Sequence, residues 1–196
     1  MGITQQIGAS SLIRPGVCTS STRPASPYEG QVIYETDTDL TSVWNGTAWR
    51  IMSASTVTSG TVLQVTAGAY SSQTQNTTGT YAATGLSAVI TPKSSSSKIL
   101  INAFVPCSTS APAVTNGMRI VRTIGGSDTV IGTWTYALYN SSGLIYGHWA
   151  QMVLESPNTT SACTYRVELA LTGGTGTVYA QTGNTTSNMV LQEIAG

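Results

Sequence analysis

Between residue 61 and the C-terminus no stretch keeps a helical period, and this narrows the fold more than any motif does. Tyr165, Val167, Leu169 and Leu171 alternate with Arg166, Glu168 and Ala170. That two-residue period marks a strand with one covered face. Similar runs occupy residues 62–70, 81–92 (broken at Gly85), 99–105, 118–124, 129–134, 146–155, 177–181 and 189–194. Turn formers separate them: Ser94 to Ser97, Pro106, Asn116-Gly117, Gly125-Gly126, Pro157 and Gly173-Gly174, the last read as a hairpin turn. The tracts 71–80 and 94–97 read as exposed loops. About nine short strands with regular turns predict an all-β fold, an antiparallel β-sandwich of jelly-roll type, over residues 61–196.

Ahead of it lies a smaller unit. Residues 28–52 read as a β-meander: a strand at 31–35, a turn at Asp37-Thr38-Asp39, then two strands reversed at Asn45-Gly46. Asn-Gly suits a two-residue type I′ turn, because both central residues need positive φ. Such a turn pairs Trp44 with Thr47 and Ser42 with Trp49, making the two tryptophans diagonal neighbours on one face. Two dozen residues with apolar groups on both faces are too few to bury them alone, since domains below about 40 residues usually need disulfides, metal or oligomerisation. The meander is therefore expected to pack against copies of itself through Ile33, Tyr34, Trp44 and Trp49. Residues 1–27 carry Pro15, Pro24 and Pro27 among Gly, Ser and Thr, which disfavours helix. They read as an extended arm with Ile3, Ile7, Leu12 and Ile13 as apolar anchoring points, and 53–60 as a linker.

Composition excludes several functions. Charged residues are 8% of the 196-residue chain, against roughly 25% in typical domains, and the net charge is zero. The five Lys and Arg after residue 60 are scattered, so no basic footprint for nucleic acid exists. No apolar run approaches the ~20 residues of a membrane span, and the first residues lack the form of a signal peptide. Cys18, Cys107 and Cys163 are odd in number and widely spaced, and read as free thiols of a protein made in a reducing cytoplasm.

Catalytic patterns are missing. His148 is the only histidine and no serine sits in a nucleophile elbow. One His and three dispersed Cys give no zinc spacing. Asp37 and Asp39 suit a turn better than a calcium site, and no glycine pattern precedes a helix as a dinucleotide fingerprint requires. No enzyme activity, cofactor or metal is expected. The tryptophans and nine tyrosines could stack on sugars, but such residues more often fill cores and subunit interfaces.

The run from Thr22 to Arg50 contains Pro24 and Pro27, then Gly30, Ile33, Tyr34, Thr36, Asp37 and Thr38, then Trp44, Asn45, Gly46 and Trp49. It resembles a motif of tailed-bacteriophage virion appendage proteins, of head-fibre, decoration or tail-fibre type: G-x-x-I-Y-x-T-D-T followed by W-N-G-x-x-W. Residues 87–101, 154–169, 177–181 and the terminal VLQEIAG also resemble strands of small phage fibre proteins. The resemblance implies a homotrimer with an anchoring arm and a distal β-domain. It further implies a virion location after assembly in the host cytoplasm, with the arm docked on the major capsid protein or another virion protein. A tail-fibre or receptor-binding role on host surface glycans is the alternative it leaves open.

Overall fold

The alternation just described sorts side chains onto two sides of each strand, and two sheets that share an apolar side must close on each other. In a computed structural model, which describes residues 15–52, 58–139 and 144–196, they do so. The chain divides into two units, residues 1–56 and 57–196.

The larger unit holds ten strands among the described residues: β5 (Val62–Tyr70), β6 (Thr74–Asn76), β7 (Ala82–Ile90), β8 (Lys98–Thr109), β9 (Thr115–Ile124), β10 (Ser127–Tyr139), β11 (Ile145–Glu155), β12 (Cys163–Gly173), β13 (Val178–Ala180) and β14 (Ser187–Ile194). One sheet runs β10-β9-β12-β7. The other runs β5-β14-β8-β11, with β13 and β6 continuing the ladder where β14 leaves β8. The eight long strands thus follow jelly-roll order, changing sheet at every step except from β9 to β10, as expected. The core lies between the sheets: Ile99, Ile101 and Val105 of β8, with Trp149, Met189 and Leu191, face Leu86, Ile90, Met118, Ile120, Tyr165, Val167 and Leu169. Trp134 of β10 meets Trp149 of β11 edge-on across this space, with ring centroids 5.3 Å apart.

Three local expectations are corrected. The strand from Ile99 does not stop at Pro106 but continues to Thr109. Proline has no N–H to give, and Pro106 falls in a pairing gap: β14 ends its ladder at Phe104 and β13 begins at Cys107. Gly173-Gly174 does not form a hairpin. It carries the chain across to the other sheet, where β13 pairs with β8 and β6. Residues 71–80 are not all loop, since β6 sits there with Asn76 buried, its amide donating to the Thr80 and Leu169 carbonyls at 2.8 Å. The break at Gly85 is a bulge opposite Val167, with φ of 87°. A Cβ on Gly85 would lie 2.4 Å from the Tyr70 ring, so both the backbone and the space require glycine.

The smaller unit is a four-stranded sheet, β1 (Gly16–Cys18), β2 (Val32–Glu35), β3 (Leu40–Trp44) and β4 (Trp49–Ile51). The meander is present, and β1 adds to it in parallel, pairing Gly16 with Ile33. Residues 15–27, assigned above to the arm, therefore fold with the meander. Ile3, Ile7, Leu12 and Ile13 lie outside the described residues. The reversal at Asn45-Gly46 also differs from expectation. Trp44 pairs with Trp49 and Ser42 with Ile51, so the loop has four residues, 45–48. The Asn45 side chain explains this: its Oδ1 accepts from the Thr47 and Ala48 N–H groups at 3.1 and 2.8 Å, closing an Asx turn.

Candidate assembly surfaces

Strand parity settles which side chains the small sheet offers. Ile33, Glu35, Leu40, Ser42, Trp44, Trp49 and Ile51 share one face through direct cross-strand pairing. Val17, Val32, Tyr34, Thr41, Val43 and Arg50 share the other. The four residues expected at an interface are therefore split, with Ile33, Trp44 and Trp49 on one side and Tyr34 opposite. Ile33 is 1% exposed within the single chain and serves as core, whereas Tyr34 and both tryptophans are half-buried. The tryptophan rings sit edge-on at 5.6 Å.

The connection from β1 to β2 sends Arg23 onto the Ile33 face, where it forms a two-pronged pair with Glu35, Nε to Oε1 at 2.6 Å and Nη2 to Oε2 at 3.1 Å. The Arg23 guanidinium holds the fully covered Glu35 carboxyl below its ordinary value, helped by the Thr38 hydroxyl. The two aspartates of the predicted turn are used internally. Asp37 accepts from the Ser20 N–H and hydroxyl, and Asp39 from the Tyr34 hydroxyl at 2.7 Å. No group of His, Cys, Asp or Glu among the described residues is arranged to hold a metal. On the opposite face Arg50 stands beside Val43, and Val17 is 70% exposed.

In the larger unit the two outer faces contrast. On the β10-β9-β12-β7 sheet, charges neutralise one another. Arg119 and Arg166 both bind Glu168, at 2.6 and 2.8 Å, and Arg166 also binds Asp128 at 2.6 Å. The Arg119 guanidinium also lies over the Tyr81 ring at 4.4 Å. Hydrogen bonds from Arg166 and then Thr123 pull the Asp128 carboxyl down to about 2.

The outer face of the β5-β14-β8-β11 sheet has no acidic or basic residue across its middle. Reading the register from strand to strand, Val65, Ala67 and Ala69 adjoin Gln192, Val190 and Asn188. These adjoin Leu100, Asn102 and Phe104, and these in turn Leu154, Met152 and Ala150. Met152 is 69% exposed, and Val65, Phe104 and Leu154 are also exposed. Between Phe104, Met152 and Val190 lies a trough of about 430 Å³. His148 adjoins this face as an exposed residue, its ring 5.0 Å from that of Phe104. Cys107 and Cys163 are buried free thiols and Cys18 a half-buried one. Burial pushes the Cys107 thiol up to about 11, which keeps it protonated and unreactive.

This face was not singled out in the sequence, although the signal was there. Along residues 145–155 both parities are apolar, Ile145, Trp149 and Val153 on one and Ala150, Met152 and Leu154 on the other. A strand apolar on both sides is suited to cover on both sides.

No helix among the described residues is long and apolar enough to cross a membrane. No family model and no curated protein matches the chain. Among solved structures, one of infectious bursal disease virus, Gx strain, is similar at 16% identity and a TM-score of 0.45, covering 78% of this chain and 36% of that one. The VP2 subviral particle of the same virus is similar at 14% identity and a TM-score of 0.44, covering 88% and 41%. The chain thus spans less than half the length of either.

Proposed function

We propose that this chain is a structural component of a tailed-phage virion, a homotrimeric surface appendage of the head-fibre or decoration type. Its N-terminal arm docks on the major capsid protein or another virion protein, and its jelly roll is the distal domain. The observation that carries the assembly reading is the outer face of the β5-β14-β8-β11 sheet, where apolar and amide side chains adjoin without a charge. Monomeric proteins rarely expose contiguous apolar patches larger than a few hundred Å². A second copy fits such a face because it brings no charge to be stranded, and a closed ring of copies leaves none of it open. The virion assignment rests on the Thr22 to Arg50 motif and its resemblance to phage appendages. The protein acts by assembly, without a cofactor and without catalysis.

Cryo-electron microscopy of the phage particle tests this. The expected result is threefold density on the particle surface into which three copies of residues 58–196 fit. Particles without such density, with the protein recovered only from the lysate, would contradict the proposal.

A further inference from the structure

At one end of the same sheet the apolar face gives way to a polar groove. Tyr146 of β11, Ser108 of β8 and Tyr179 of β13 stand in one cross-strand row. Neighbouring strands are about 4.8 Å apart, so the two tyrosines are roughly 10 Å apart with Ser108 between them. Gln73, Thr109, Ser110, Leu144 and Thr182 complete a groove of about 380 Å³. Tyr146 is 71% exposed, while Ser108 forms the floor and shares a 2.9 Å hydrogen bond with the Thr182 hydroxyl.

The walls are tied in place before any ligand arrives. Gln73 accepts from the Gly183 N–H through its side chain at 2.8 Å, and its own N–H donates to Asn184 Oδ1 at 3.1 Å. Ser110 Oγ accepts from the Thr177 N–H at 2.8 Å. Gln181 and Asn184 hold positive φ, at 52° and 58°, which sets Thr182 toward Ser108. A left-handed backbone at non-glycine residues costs energy and is retained where the surroundings over-determine it.

We infer that this groove binds a neutral oligosaccharide, seating one pyranose ring over Ser108 between Tyr146 and Tyr179. The chemistry selects that class. No Lys or Arg lines the groove, which disfavours phosphate, nucleic acid and acidic sugars. Leu144 apart, the groove between the tyrosines is lined by hydroxyl and amide groups where a lipid would need apolar ones. Tyrosine faces match the C–H faces of a sugar, and the hydroxyls and Gln73 match its hydroxyls. The inference goes beyond assembly and does not depend on it.

The test is an array of neutral oligosaccharides probed with the full-length chain, beside Tyr146→Ala and Tyr146→Phe. Tyr146 is exposed, so neither change threatens folding, and light scattering confirms that assembly is unaltered. Binding of at least one neutral glycan is expected. Tyr146→Ala should weaken it about tenfold, the size of one lost stacking contact, and Tyr146→Phe should retain it. Absence of neutral-glycan binding, binding confined to anionic glycans, or equal binding by Tyr146→Ala would each overturn the inference. Any of these with the trimer intact would leave the assembly proposal standing.

Discussion

Glu155 shows how a single residue can join the two sheets. It ends β11, yet its carboxylate takes Arg122 of β9 at 2.6 Å and the hydroxyl of fully buried Tyr165 of β12. Burial and the hydrogen bond to Glu155 push the Tyr165 hydroxyl far above its ordinary value, so it remains a donor. The interaction is one-sided in its risk, because a largely covered Arg122 has much to lose from its partner. Glu155→Gln keeps an acceptor for Tyr165 but removes the counter-charge. It should cost about 3 kcal/mol in urea unfolding, and a loss below about 1 kcal/mol would mean that water reaches Arg122 freely. Neither the pairing nor its partners could be read from sequence, since residues 122, 155 and 165 meet only once both sheets exist. Gly85 differs, because a glycine inside an alternating run already announces a break. What it could not announce was Tyr70, whose ring fills the space a side chain would need.

Among elements, the strands were largely visible and their neighbours were not. Alternation located β5, β7, β9, β11, β12 and β14 to within a few residues, because each has one face in a common core. Pairing depends on long-range geometry, so β13 was assigned to the wrong neighbour and β1 to no sheet. The loop at Asn45-Gly46 was placed correctly but given two residues instead of four, as the Asx turn outcompeted the two-residue form. The charged outer face of β9, β10 and β12 belongs to this scale too. Asp128 has its carboxyl pulled from an ordinary 3.8 to about 2, chiefly by Arg166. A depressed carboxylate value means the contribution is complete above about 4 and is lost as pH falls towards about 2. The side chain is half-exposed, so the effect is modest and weakened by salt. Asp128→Asn should therefore lower the thermal midpoint at neutral pH and converge with the wild type near pH 2 in a pH series of melts. Parallel curves across that range would show that the Arg166 pair contributes nothing.

For the whole molecule, low charge was the most telling quantity and also the least specific. It offered no basic footprint for nucleic acid, but said nothing about where the few charges would go. In the larger unit the arginines pair on one sheet or at the Glu155 junction, leaving the other sheet's outer face free of them. In the smaller unit, Arg23 and Glu35 close one face, while Val17, Val32, Tyr34 and Val43 lie on the other with the exposed Arg50. The larger unit therefore presents a sheet face with no charge across its middle. An interface of this composition owes little to ion pairs, so salt should not dissolve it.

The most direct measurement is the molar mass of the full-length chain by light scattering, followed through serial dilution at about 0.05 and about 1 M salt, beside Met152→Lys. Met152 is exposed in the single chain, so a lysine there is harmless to a monomer and buries a charge only in an assembly. A mass of three chains at both salt concentrations, falling in the variant, is the predicted result. A wild-type chain that is folded and single at every concentration would contradict it.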